Sequence, residues 1–315
     1  MSAPKRVSVV IVSYQVRDLL RACIASVESQ SGIETETFVV DNASRDGSAD
    51  MVEREFPRVR LIANAENRGF ARANNQALVL ADGDVLLLLN PDTELPPGAL
   101  AALAGVFARQ PRAGAVGLAL RNADGSPQRA CHAFPGLLNM LLEATALHRV
   151  ALRFGIGTPY QAPIPPGGEG TVDWVGGACM AISREAWAAV GGLDEESFMY
   201  GEEMDWSWRA RRLGFPTVFS STAVVLHHGE ASGAGRRGEL YVHNAVSRDR
   251  FLRRYRGAWR ANLAREITTL GALLRLGWWQ PRAAWERRHG GVRERTGDQL
   301  ERFRAILAWR RGGTS

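Results

Sequence analysis

Three stretches hold residues whose types and spacing could do chemistry. The first is Leu86–Glu94, LLLLNPDTE. Four leucines after Val85 read as a fully buried strand, and Asn90-Pro91 stops it, because proline has no N–H for a ladder and disfavours helix in the residue before it. Asp92 follows at once. A carboxylate just past the C-terminal end of a buried parallel strand sits where α/β sheets hold ligands. Mg²⁺ takes one or two carboxylates plus phosphate oxygens, so Asp92 is a candidate for a cation that meets a diphosphate. On its own the stretch reads equally as an ordinary turn. The second stretch, Glu202-Glu203-Met204-Asp205, puts three carboxylates in four residues at a helix start. The helix dipole alone favours acids there by ~0.3–1 kcal/mol each. The third is His227-His228, which closes the apolar run Val224–Leu226 and falls 24 positions after Glu203.

The intervening elements decide whether these groups meet. Val7–Val12 is an apolar, β-branched run of buried-strand type, ended by Ser13-Tyr14. Leu19, Leu20, Cys23, Ile24 and Val27 recur at helical spacing, with Asp18 as the expected cap. Phe38–Val40 is a second strand, ended by Asp41-Asn42, and the next helix is expected to cap at Ser48 or Asp50. Val59–Ile62 is a third strand; ENRGFARANN is a glycine-bearing turn into a helix, and the leucine strand follows. This alternation is the signature of a doubly wound parallel sheet. Ser13/Tyr14, Asp41/Asn42 and Asn90/Asp92 then share one sheet edge and converge on one crevice, which argues for a nucleotide-type ligand. No G-x-G-x-x-G follows the first strand and no P-loop exists in the chain. Further on, Trp174–Ile182 reads as a strand interrupted at Gly176-Gly177, where a ligand could approach the backbone closely.

VSVVIVSY, VVDNASRDGS, ENRGFARANN and LLLLNPDTEL, in this order and spacing, resemble the family 2 glycosyltransferases and, within them, the bacterial rhamnosyltransferase-like branch. The resemblance runs from about residue 7 to about residue 235. It implies a GT-A fold: an α/β, doubly wound, mostly parallel sheet with a Rossmann-like nucleotide-binding half. It implies a nucleotide-diphosphate sugar donor, a divalent metal (Mg²⁺ or Mn²⁺) and inversion at the anomeric carbon, with dTDP-rhamnose favoured and a polysaccharide or lipid-linked glycan as acceptor. Carried over residue by residue, Asp92 and His227 hold the metal, and Asn90 stands where a first carboxylate is usual. Asp41 reads the base with Asn42 beside it. Ser13, Tyr14 and Gly69 shape the nucleotide pocket, and Asn75 supports it. Trp174, Gly177 and Ala178 line the sugar and acceptor pocket with Glu202 and Asp205. Glu203 is the catalytic base, where the family usually has Asp. Ser232 and Arg236 or Arg237, in a glycine-rich loop, are expected to close over the diphosphate.

With 315 residues, 45% hydrophobic and 23% charged, the chain can bury a full core. Its net +6 is unevenly placed: residues 251–315 hold 15 Arg against five acids, +10, which leaves −4 for the rest. The expected domains are 1–238, with a nucleotide half to about 120 and an acceptor half at about 171–238, and a basic helical extension at 239–315. Residues 121–170, rich in proline and glycine, read as a mobile insertion with His132 and His148 as solvated histidines. Three scattered cysteines are no disulfide framework. MSAPKR runs straight into a strand, and no apolar run reaches the ~18–20 residues of a membrane span. A cytoplasmic protein is expected, with no nucleic-acid partner. Arg and Trp on amphipathic tail helices suit the anionic inner face of a membrane, and core-packing helices are the alternative. A nucleotidyltransferase would show a Gly- and Lys/Arg-rich loop after its first strand, unlike SYQVRDLL. A non-catalytic sugar-nucleotide-binding protein would not need the carboxylates.

Overall fold

A computed structural model describes residues 4–159, 161–196, 199–229, 237–289 and 291–312. In chain order the elements are β1 (Arg6–Ser13), α1 (Arg17–Glu28), β2 (Glu34–Asp41), α2 (Ser48–Glu55), β3 (Arg60–Ala63), α3 (Phe70–Leu78), β4 (Val85–Leu89), β5 (Thr93–Glu94), α4 (Ala99–Arg109), β6 (Ala115–Arg121) and β7 (Cys131–His132). Then come α5 (Leu137–Ala144), α6 (His148–Arg153), β8 (Glu169–Val172), β9 (Trp174–Val175), β10 (Cys179–Ser183), α7 (Arg184–Val190), α8 (Glu202–Arg212) and β11 (Thr217–His227). Three long helices finish the chain: α9 (Arg237–Arg256), α10 (Ala258–Arg288) and α11 (Glu294–Arg310). They form two compact units, Met1–His132 with Ile164–Ser232, and Ala133–Pro163 with Gly233–Ser315.

The first unit is a mostly parallel sheet in the order β3-β2-β1-β4-β10-β6-β11-β5, with β8 added to β11. β1, β2, β3 and β4 run parallel, and the three inner ones are apolar at their centres as a sheet covered on both faces requires: Val7, Val9 to Ile11, Phe38 to Val40 and Leu86 to Leu88 are wholly buried. β10 runs antiparallel to both β4 and β6, and β11 is again parallel to β6. The C-terminal ends of β1, β2, β4 and β11 and the N-terminal end of β10 therefore lie on one edge. Ser13 is in register with Asp41, and His227 with Thr93.

Several local expectations change. Trp174–Ile182 is two strands, with β9 pairing β7 (His132 opposite Trp174) while β10 joins the main sheet. Asp18 does not cap α1, and neither Ser48 nor Asp50 caps α2. Asp46 serves both helices: it accepts from Arg17 N at 2.8 Å, Ser48 N at 3.1 Å and Ser48 Oγ at 2.6 Å. Asp18 lies inside the first turn of α1 and pairs with Arg21.

In the second unit, α10 packs on α5, α9 and α11 around Val242, Ala272, Leu276, Phe303 and Ile306. The stretch expected as a mobile insertion thus contributes α5 and α6, and LLNMLLEA supplies the apolar face of α5. Arg275 donates to the carbonyls of Glu143 and Ala144 and so satisfies the end of α5. Buried Glu286 accepts from Arg293 N and Thr296 Oγ1, each at 3.0 Å, at the start of α11. Among the described residues no helix is long and apolar enough to cross a membrane.

Asp46 gives a stability test. Burial pushes its carboxyl up, but the Ser48 and Arg17 donors outweigh this and hold it below the ordinary 3.8. A depressed folded value stabilises the protein above the unfolded pKa, and that stability is lost as pH falls through the folded one. Asp46→Ala should cost about 1–2 kcal/mol at neutral pH, and urea melts of the two proteins should converge on acidification.

Candidate active site

The turn after β4 is built by its sequence. Pro91 and Asp92 occupy the two central positions; Thr93 N and Thr93 Oγ1 both donate to Asn90 O, at 3.2 and 2.6 Å. Asp92, 7% exposed, is thereby aimed at the end of β11, where its Oδ1 lies 3.3 Å from His227 Nε2. Asn90 Nδ2 is 3.3 Å from the same nitrogen. Burial pushes the Asp92 carboxyl up, and the His227 ring pulls it further down, so it stays ionised.

Gln128 was not anticipated from the sequence. Its Nε2 donates to His227 O at 2.7 Å and Asn122 Oδ1 at 2.6 Å, which leaves its Oε1 facing His227 Nδ1 at 2.8 Å. Nδ1 therefore carries a proton, and Nε2 is the nitrogen turned to Asp92 and Asn90. A ring nitrogen and a carboxylate oxygen thus face each other at 3.3 Å, a donor set that a cation could share once Nε2 gives up its proton. Asp92 and His227, with Asn90 beside them, are the residues that could hold a divalent cation, the remaining positions being left to phosphate oxygens and water. His228 is half-buried and meets Glu94 Oε1 at 2.9 Å.

A second cluster joins the first through backbone. Asn90 N donates to Ala178 O at 3.0 Å, extending the β4–β10 pairing by one residue. The next residue, Gly177, donates its N–H to Glu203 Oε1 at 2.8 Å. A Cβ at Gly177 would overlap the Glu203 carboxylate, so only glycine leaves the space. Glu202, Glu203 and Asp205 are all buried at the start of α8. Burial pushes Glu203 above the ordinary 4.5 against the pull of nearby N–H groups. Burial, and then the charge of Glu203, push Glu202 well above that value; its Oε2 has no partner among the described residues. Glu202 is thus the more readily protonated of the two.

Ser13 and Asp41 lie at the expected edge, each with a buried oxygen that finds no protein partner among the described residues, Ser13 Oγ and Asp41 Oδ1. Asp41 Oδ2 accepts from Ser44 N at 3.0 Å. Tyr14 is half-buried beside them. Asn42 is spent on the loop before α3: its Nδ2 donates to Asn67 Oδ1 (3.1 Å) and its Oδ1 accepts from Asn64 Nδ2 (3.0 Å). Gly69, at φ +79°, opens α3 from that loop in a conformation other residues rarely adopt. Asn75 supports at a distance from the edge, exchanging bonds of 3.0 Å with Leu193 N and O. Asp205 holds Arg209 at 2.7 Å, and Arg209 in turn holds the carbonyls of Val190 and Gly192. Trp174 stacks on His132 at 4.1 Å, so that histidine is no solvated loop residue. Ser232 and Arg236 lie outside the described residues, as does the side chain of Arg237. Cys23 and Cys179 are buried and unpaired with thiols pushed up to about 12 by burial, which rules them out as nucleophiles.

A parallel sheet with this antiparallel inset and acids at one edge defines an α/β transferase of the GT-A type. The solved structures that match have the same fold: GalNAc-T7 with UDP, GalNAc and Mn²⁺ (17% identical, TM-score 0.56, 71% of this chain and 44% of that one) and the mannosyltransferase PcManGT of Pyrobaculum calidifontis with GDP-Man and Mn²⁺ (18% identical, TM-score 0.55, 98% and 87%). A model of glycosyl transferase family 2 matches residues 8–155. The N-acetylglucosaminyl-diphospho-decaprenol L-rhamnosyltransferase of Mycobacterium tuberculosis is 30% identical over 272 residues, 81% of this chain and 87% of that one. The chain belongs to glycosyltransferase family 2 and is a rhamnosyltransferase-like enzyme.

Gly177→Ala tests the contact between the clusters. The added methyl must displace the Glu203 carboxylate, so turnover should fall by roughly 10²-fold, with nucleotide affinity unchanged in calorimetric titration.

Proposed function

We propose that this enzyme moves rhamnose from dTDP-rhamnose, with inversion and with the help of a divalent cation, to a polysaccharide or lipid-linked glycan at the cytoplasmic side of the membrane. The observation that carries the reading is the link from Asn90 through Ala178 and Gly177 to Glu203, which ties a buried carboxylate to the strand end that leads into the Asp92–His227 pair. The rhamnosyltransferase named above supports the sugar and the lipid-linked acceptor, and the Mn²⁺ in the two solved relatives supports the cation.

The chemistry is displacement at the anomeric carbon. Glu203 Oε2 takes the proton of the acceptor hydroxyl while Oε1 stays anchored to Gly177 N–H. Glu202, the more readily protonated of the two, lowers the charge of the pair whenever it carries a proton. Asp92, His227 Nε2 and Asn90 would hold Mg²⁺ or Mn²⁺, which when bound offsets the charge developing on the departing diphosphate. Asp41 and Ser13 offer their unpartnered oxygens to the nucleoside, Asp41 to an N3–H of thymine or uracil. Gly69 and Tyr14 bound that pocket. Trp174, Ala178 and Asp205 belong to the wall on the sugar and acceptor side. The catalytic domain is the sheet unit, and 239–315 is an accessory extension.

The test is transfer from dTDP-rhamnose to a lipid-linked acceptor with Mg²⁺ or Mn²⁺. Glu203→Gln should lose roughly 10²–10⁴-fold in turnover with donor affinity nearly unchanged. Full activity in this variant, with Glu202→Gln or Asp205→Asn dead, would move the base to a different carboxylate. Because the Glu203 carboxyl is raised and works deprotonated, the wild-type rate should climb with pH through an inflection above 4.5. Asp92→Asn should abolish turnover and remove the metal dependence of dTDP binding. Gln128→Leu, which frees the His227 ring to turn, should weaken that metal-dependent binding by roughly 10–100-fold and leave metal-free binding alone.

A further inference from the structure

α10 is apolar on two opposite faces. Ala261, Ala264, Ala272, Leu276 and Ala283 pack inward. Trp259, Leu263, Leu270, Leu274, Trp278 and Trp285 lie on the other side, with the three tryptophans 59%, 73% and 56% exposed. At helical spacing these six fall within an arc of roughly 100° that runs the length of the helix. A solvated helix face has no use for three tryptophans in line, and a continuous apolar strip of this kind marks a contact surface.

The charge around the strip selects the occupant. Arg260, Arg282 and Arg288 are exposed along its border, and the Arg260 guanidinium lies 4.5 Å from the Trp259 ring. The helical unit as a whole, Ala133–Pro163 with Gly233–Ser315, holds 21 Arg against eight acids, net +13, while the sheet unit carries −7. Fourteen of the 19 exposed large hydrophobic residues among those described also lie in the helical unit, α5 and α6 included. Apolar exposure and positive charge thus coincide in one unit. Two copies meeting on this strip would bring like charges together. An anionic lipid surface accepts both features: tryptophan and leucine enter the headgroup boundary, and arginine meets phosphate.

We propose that the outer face of α10 lies in the surface of an anionic phospholipid bilayer and holds the enzyme there without spanning it. The inference goes beyond the sugar-transfer reading and does not depend on the identity of donor or acceptor.

The experiment is co-sedimentation of the full chain with vesicles of phosphatidylcholine alone or mixed equally with phosphatidylglycerol. Binding is expected to the anionic vesicles and to weaken with salt. Leu274→Glu and Trp278→Glu, both outward-facing, should each lower the partition coefficient by roughly tenfold or more with helix content kept by circular dichroism. Arg282→Gln should lower it by roughly fivefold on the anionic vesicles and leave the neutral ones unmoved. Wild-type protein that stays in solution overturns the proposal, as does binding that ignores both glutamates. A concentration-dependent dimer that the same substitutions split, with no vesicle binding, assigns the face to a second copy instead. Transfer to a soluble acceptor should survive all three substitutions, so loss of membrane binding and failure of the catalytic reading are read separately.

Discussion

Four carboxylates, Asp41, Asp92, Glu202 and Glu203, are buried along one edge of the first unit, and among the described residues no arginine or lysine pairs with any of them. Burying ionised carboxylates without partners is costly, and each position offsets that cost differently. Asp41 accepts the Ser44 N–H, Glu203 the Gly177 N–H, and Asp92 faces a histidine; Glu202 is pushed towards its neutral form by burial and by the charge of Glu203. The donors are all supplied by strand ends and the turns after them. The topology that exposes those ends on one side is therefore a condition for the acids to exist there. Asp205, one helical position beyond reach of this arrangement, pairs with Arg209 and spends itself on the loop before α8. What Asp41, Asp92 and Glu203 lack is a cationic partner or a further donor, which a cation or a nucleotide's N–H groups can bring.

The edge was legible because its neighbours are loud. Val9–Val12, Phe38–Val40 and Leu86–Leu89 are uninterrupted apolar runs, and the polar residue that ends each must fall at the strand's end. His227 falls where the same rule puts it, at the end of an apolar strand, whereas Glu203 was singled out by the resemblance, since acids at a helix start are favoured by the dipole alone. Two-residue strands carry no period, so the pairing of His132 with Trp174, and the stacking that comes with it, left no trace in the pattern. Gln128 sits among proline, glycine and polar residues, where a side chain has no reason to be singled out until its partner's backbone is located. Asp46 was passed over because Asp18, Ser48 and Asp50 stood nearer the expected caps. The DNASRDGS turn brings it to both helices, a contact of 29 residues' separation that local spacing does not encode. The helix α5 was hidden by its flanks: prolines before and after outweighed the leucine run that forms it.

A glutamate at position 203 finds a physical account in Gly177. The longer side chain reaches the backbone N–H of a residue whose missing Cβ leaves room for one carboxylate oxygen. That bond fixes Oε1, so Oε2 is the oxygen free to take a proton. The same N–H holds the charge on Glu203 and not on its neighbour, since Glu202 has an oxygen with no partner and a higher affinity for protons. A shorter acid here would leave the Gly177 N–H unsatisfied next to Ala178, whose carbonyl already serves Asn90. The glutamate at 203, the glycine at 177 and the turn at Asn90-Pro91-Asp92 are thus one constraint, propagated from the end of β4 to the start of α8 through one backbone hydrogen bond, Asn90 N to Ala178 O, and one from backbone to side chain, Gly177 N to Glu203 Oε1.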